Sequence, residues 1–123
     1  ISNSDSYVVI DDADTVIGTT VFTTKKERAY KSIQGKWITN DDAEYGVIHR
    51  LAVGEKYRKL GLARFVFKEC HKRLKTQNIG SLRIDTHEAN QGMQHLLKDI
   101  GYTYCGIILL ESGDERLAFE KVL

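Results

Sequence analysis

The chain has 123 residues, 41% hydrophobic and 28% charged, with a formal net charge of +1 at pH 7. That length can bury one core without disulfides or a structural metal, and so balanced a charge gives no global attraction to nucleic acid or a membrane surface. No apolar run approaches membrane-spanning length and no signal peptide is evident, so a single domain over residues 1–123 in the cytoplasm is expected, its two cysteines, Cys70 and Cys105, reduced and buried.

In chain order, Tyr7-Val8-Val9-Ile10 reads as a short strand, Asp11 to Asp14 as a turn, and Thr15 to Thr23 as a second strand of strict alternation, together a hairpin. Lys25 to Arg28 is a charged run, most simply a solvated loop. Tyr30, Ile33 and Trp37 then scatter apolar bulk through a stretch without clear period, ended by Thr39-Asn40-Asp41-Asp42. Tyr30, Trp37 and the following Tyr45 are placed to serve either as core or as walls of a substrate pocket.

The centre of the chain is VIHRLAVGEKYRKLGLARFVF. Val47 to Val53 is a strand, with Val47, His49, Leu51 and Val53 on one face and Ile48 and Ala52 on the other if alternation holds. A helix opens at Gly61, with Leu62, Phe65, Val66, Cys70 and Leu74 at the spacing of a buried stripe. Between them Arg58-Lys59-Leu60-Gly61-Leu62-Ala63 is an R-x-x-G-x-A turn. A helix N-terminus presents unpaired N–H groups and partial positive charge, and Gly61 and Ala63 let an anion approach the backbone. Arg58, Lys59 and Arg64 add full charges, so the turn suits a diphosphate.

Downstream, Asn78 and Gly80 stop the helix and Ser81 to Thr86 is a buried strand, completing a parallel β-α-β unit with a right-handed crossover. Glu88-Ala89-Asn90 opens a second helix carrying Met93, Leu96, Leu97 and Ile100, closed by Gly101. Tyr102 to Leu110 and Leu117 to Val122 form a closing antiparallel hairpin around Ser112-Gly113-Asp114. The fold class expected is α/β (α+β): a mixed, largely antiparallel sheet with a central parallel β-α-β unit and helices on both faces.

Leu51, Ala52, Val53, Tyr57, Arg58, Gly61, Leu62 and Ala63 match the central motif of the GNAT N-acetyltransferase superfamily, which this stretch resembles. Lys59 stands where that family often has glycine and Glu55 where proline is frequent. Asn90, Gly101 and Tyr102 are similar to its later asparagine–helix–G-[FY] pattern. The resemblance implies an acyl-coenzyme A N-acyltransferase fold. It also implies that the 58–64 turn holds the pyrophosphate of acetyl-coenzyme A, that Leu51 to Val53 holds its pantetheine arm through the backbone, and that Asn90 assists. The family's first strand and two helices have no counterpart before Tyr7, so either an N-terminally truncated domain or an open acceptor side is expected.

Acetyl transfer to an amine requires a neutral amine, and at pKa ~10.4 only about one lysine-like amine in 2,500 is neutral at pH 7. His49, Glu44 and Glu88 are the candidate bases; histidine as a residue type suits proton relay near neutral pH. The backbone N–H near Leu51 is a candidate oxyanion contact. The resemblance supplies no further catalyst: the glutamate position on the central strand is Val47 here, and the tyrosine position in the second helix is Leu97. Asp85, His87 and Glu88 lack a partner cluster with zinc-like spacing, so no metal is expected. The basic run from Lys56 to Lys75 is explained by a phosphate-rich coenzyme rather than by nucleic acid. Partners are then a small-molecule or peptide amine, without nucleic acid or membrane, and a homodimer is compatible. The reading is an acetyl-coenzyme A-dependent N-acetyltransferase; the alternative is a catalytically poor acyl-coenzyme A binding or sensing module of the same fold.

Overall fold

The computed structural model describes residues 4–10, 16–40, 42–53 and 61–123. The expected turn at Asp11 to Asp14 and the residues Arg58, Lys59 and Leu60 lie outside them. In order come β1 (Ser4–Ile10), β2 (Val16–Thr23), a 3-10 helix (Arg28–Ser32), β3 (Gln34–Gly35), β4 (Gly46–Val53), α1 (Leu62–Thr76), β5 (Ser81–Thr86), α2 (Gln91–Asp99), β6 (Thr103–Leu109) and β7 (Glu115–Val122). The strands form one sheet in the order β1-β2-β4-β5-β7-β6-β3. Only β4 and β5 are parallel neighbours; β7 inserts between β5 and β6, antiparallel to both.

Two layers cover this sheet. α1 and α2 share one face, where Val66, Phe67, Cys70, Leu74 and Leu97 pack on Phe22, Ile48, Leu82, Ile84 and Phe119. The reason is chiral: the steps from β4 to β5 and from β5 to β6 run in the same direction, and right-handed crossovers put both helices on one side. The opposite face carries the 3-10 helix and the chain up to Tyr45, packed as Tyr30, Trp37 and Tyr45 on Val47, Ala118 and Ile108. Helical turns thus lie on both faces, unequally.

Local signals explain the element ends. α1 stops in a Schellman-type cap: Asn78 adopts φ 60°, and Ile79 N–H donates to Leu74 O at 2.9 Å while both side chains join the core. Asn90 caps α2, its Oδ1 accepting from Met93 N at 3.1 Å.

Three expectations need correction. The buried stripe of α1 is Val66, Phe67, Cys70 and Leu74, while Phe65 is half exposed, because each residue turns the face by roughly 100° and Phe67 lies nearer the stripe's centre. The uncertain segment after Arg28 holds the 3-10 helix and the two-residue β3, too short for any period to show. Third, β4 does not alternate throughout. Val21 pairs with His49 but Thr19 with Ala52, so β4 contains one extra residue, a β-bulge at Arg50–Leu51. Past the bulge the faces exchange: Val47 belongs to the aromatic face, whereas Leu51 packs with Ile48 under α1.

Beneath Tyr45 lies a buried ion pair. Arg83 Nε is 3.3 Å from Glu120 Oε2, both side chains almost fully buried, with the guanidinium between the rings of Trp37 (4.4 Å) and Tyr45 (4.2 Å). Arg83 Nη2 also donates to Thr39 O and Oγ1, each at 3.1 Å, and Glu120 Oε1 accepts from Ile38 N and Thr39 N. These bonds tie residues 37–45 to the sheet.

Candidate active site

The site begins where two parallel strands part. β4 and β5 pair at Gly46–Leu82 and Val47–Arg83, and no later pair is recorded among the described residues, although both strands continue. Beyond Val47 the β5-facing edge of β4 therefore offers a row of backbone N–H and C=O groups, which a buried sheet cannot leave unmatched without cost. The bulge sits in this same stretch.

One residue pair flanks the mouth of the split. His49 and Asp85 each lie two positions past the last pair, on the face opposite α1. They share a cavity of about 570 Å³ with Glu27, Val21, Leu110 and Arg116. His49 is about one-third exposed, its Nε2 3.5 Å from Glu27 Oε2. Glu27 is set by the 3-10 helix, whose first turn it caps through Oε1 to Ala29 N (3.3 Å), and its own N–H donates to Tyr45 Oη at 3.2 Å. Asp85 accepts at 2.7 Å from the hydroxyl of the buried Tyr30. Burial raises the Asp85 carboxyl above its ordinary range, opposed by the Tyr30 hydrogen bond and by His49 and Arg116. Burial and the Asp85 charge likewise raise the Tyr30 phenol.

The second feature is the start of α1, the helix that follows β4 in the chain. Gly61 is its N-cap at φ 75°, a left-handed conformation that favours glycine, and open space lies where a Cβ would stand. The first helical bond is Phe65 N to Gly61 O (3.0 Å), so the N–H groups of Leu62, Ala63 and Arg64 precede it. Among the described residues no side chain caps them, and no acid lies in the first turn.

Of the remaining sequence candidates, Leu51 is partly buried under α1, and Ala52 and Val53 pair through the backbone with Thr19 and Gly18. The Arg64 guanidinium is engaged by Asp99 at 3.0 Å on α2. Glu44 and Glu88 are exposed and are not among the residues lining the His49 cavity. Tyr30 reaches the cavity region through its hydroxyl to Asp85, while Trp37 and Tyr45 are buried around Arg83. Among the described residues no group of three or more His, Cys, Asp or Glu is placed to hold a metal. No helix among them is long and apolar enough to cross a membrane. Sequence reasoning missed Glu27, hidden in a charged run, and gave Asp85 only a metal-ligand reading; its signal was its place at the end of the strand parallel to β4.

A split between parallel strands followed by the N-terminus of α1 is the arrangement that the GNAT resemblance implies for an acyl-coenzyme A N-acyltransferase fold. The sequence profile of the acetyltransferase (GNAT) family matches residues 1–102, and the chain belongs to that family. A GNAT-family acetyltransferase from Streptococcus agalactiae 2603 superposes with a TM-score of 0.80 at 33% identity, over 96% of this chain and 65% of that one. This chain thus spans less than two thirds of that relative. A GNAT-family acetyltransferase from Elizabethkingia anophelis with acetyl-CoA bound gives 0.73 at 18% identity, over 98% of this chain and 77% of that one. A chain of the NatC complex bound to Gag peptide and CoA gives 0.73 at 17%, over 96% and 70%. At such identities the last two speak to the fold. No curated protein sequence matches.

Proposed function

We propose that the chain transfers an acetyl group from acetyl-coenzyme A to a primary amine. The observation that carries this reading is the parting of β4 from β5 directly after Val47–Arg83, next to the uncapped N-terminus of α1. An extended chain of amides, such as a pantetheine arm, can bond to the free edge of β4 as a further strand would. The diphosphate then falls at the first turn of α1, held by the backbone N–H groups of residues 62–64, with Arg58 and Lys59 adding charge. The thioester end arrives near His49 and Asp85.

The amine nitrogen bonds to the thioester carbon as the C–S bond breaks, leaving an amide and a thiol. His49 accepts the amine proton, directly or through water, with the Glu27 carboxylate placed to stabilise the imidazolium. The backbone around Leu51 donates to the carbonyl oxygen as it gains charge. The departing thiolate needs no dedicated acid, since a thiol's ordinary pKa of ~8.5 lies close to neutral pH.

The test is calorimetry of acetyl-coenzyme A binding with Gly61→Asp, combined with thiol release over a panel of amines. The open space at Gly61 accommodates the new side chain, and an aspartate at φ 75° costs about 1 kcal/mol, so the fold should survive while its carboxylate repels the diphosphate and affinity falls at least tenfold. Unchanged affinity in a folded variant overturns the coenzyme site. Tight binding with no turnover by the parent protein favours a sensing module instead.

A further inference from the structure

The cations Lys25, Arg28 and Lys31 around Glu27 have no part in the transfer just described, yet they border the same site. A second cavity, of about 420 Å³, adjoins the first and shares Glu27 and His49 with it. Its other walls include Lys25, Lys26, Arg28 and Lys31. Charge is therefore segregated along one continuous hollow. The end at the strand split has Glu27 and Asp85 against Arg116; at the far end Lys25, Arg28 and Lys31 gather with Glu27 as the acid among the described lining residues.

Glu27 does little to neutralise that far end. Its Oε2 faces His49 and its Oε1 accepts from Ala29 N. Lys25, Arg28 and Lys31 are exposed, and among the described residues no ion pair is recorded for any of the three. Cations gathered on a single turn repel one another, and an anion among them relieves that repulsion.

We infer that the acceptor is an amine bearing a carboxylate or phosphate: its ammonium end lies between Glu27 and Asp85 beside His49, and its anionic end lies on Lys25, Arg28 and Lys31. This rests on the acetyltransferase reading of the same site. The amine has to reach the mouth of the strand split to meet the thioester, so the rest of the acceptor trails into the second cavity. Acetylation also removes the cation. The neutral amide no longer satisfies Glu27 and Asp85, which weakens product binding relative to the acceptor.

The test compares matched acceptors by thiol release at saturating acetyl-coenzyme A: 3-aminopropanoate and 6-aminohexanoate against the corresponding alkylamines, and phosphoethanolamine against ethanolamine. The anionic member of at least one pair should show a kcat/KM at least tenfold higher, a ratio that shrinks as salt is raised. The carboxylate and phosphate pairs distinguish the two anions. In the Lys25→Glu/Arg28→Glu/Lys31→Glu variant the ratio should fall to one or below, with acetyl-coenzyme A affinity by calorimetry reporting an intact fold. Equal turnover within every pair, a ratio unchanged in the variant, or coenzyme binding without turnover of any anionic amine overturns the inference. Failure of the parent protein to bind acetyl-coenzyme A overturns the underlying acetyltransferase reading instead.

Discussion

Replacing Arg83 with methionine removes the cation from the buried network beneath the active-site face. Methionine refills much of the space between Trp37 and Tyr45, so the loss is chiefly electrostatic. It takes away the ion pair to Glu120, two hydrogen bonds to Thr39 and two ring contacts. Breaking one side of a buried pair costs about 3–5 kcal/mol, because the other charge stays buried without its partner. Glu120 keeps donors from Ile38 N, Thr39 N and the Thr39 hydroxyl, which holds the loss toward the lower end. Even about 3 kcal/mol is a large part of a domain's typical ~5–15 kcal/mol.

Urea unfolding followed by fluorescence is well placed to read this, since Trp37 is the sole tryptophan and lies against the mutated side chain. The double variant Arg83→Met/Glu120→Gln keeps an acceptor for the two backbone N–H groups and removes the stranded charge, so it should regain about 1–2 kcal/mol over the single variant. The pH dependence has a definite sign. Burial works to raise the Glu120 carboxyl, but hydrogen bonds from Thr39 and the Arg83 charge outweigh it and hold the group below its ordinary value. Its contribution is present above the unfolded carboxyl's pKa and is lost as pH falls through the folded one. Without Arg83 that acid loss should diminish. A single variant destabilised by under 1 kcal/mol, with the acid limb unchanged, refutes the network's role.

Three further outcomes are expected. Gly106→Ala puts a Cβ 2.3 Å from Gln34 O at φ 148°, so the β3–β6 pairing should break, with a loss of about 2 kcal/mol or more in urea melts; a stable variant refutes that close approach. The His71 imidazole, whose Nε2 lies 2.6 Å from Tyr102 Oη, is pushed down to about 4 by burial and by Lys121 and Lys75. Between that value and the ordinary 6.5 the unfolded chain binds a proton that the folded chain does not, so stability should fall on acidification from pH 7 to 4, by about 1 kcal/mol once solvent screening of this half-buried ring is allowed for. A His71→Phe variant with the same slope would assign the loss elsewhere. Finally, His49→Gln should lower turnover about 10²-fold or more with little change in melting or acetyl-coenzyme A affinity, and normal turnover in a stable variant leaves His49 without a catalytic part.

Much of the fold was legible because its devices are local. Asn90 is both a capping type and a helix start, Asn78 follows the end of an amphipathic run, and β5 occupies the span its apolar pattern marks. What escaped the sequence depends on distant partners. The bulge at Arg50–Leu51 shows only against the register of β2, so alternation put Leu51 on the wrong face. β3 exists because Gly35 and Gly106 let two backbones approach, a contact between residues far apart in the sequence. Glu27 looked like one charge in a solvated run, and only the 3-10 helix and Tyr45 set it beside His49. Trp37 and Tyr45 left core and pocket both open because the buried cation between them comes from β5.

The position of β7 bears on how the chain reaches this state. β5 and β6 are both complete in sequence before Glu115, yet neither touches the other: each pairs with β7, the last strand of the seven. Until that strand arrives, two edges of the future sheet stand open, and the Glu120 carboxylate that Arg83 requires is absent. During synthesis the first half can gather around α1 and β4, but its completion waits for residues 115–122. Pairings of such long sequence separation are slow to form and expose unpaired edges meanwhile. The window of vulnerability to aggregation therefore stays open until residues 115–122 are present, and closes when one short strand slides between two others.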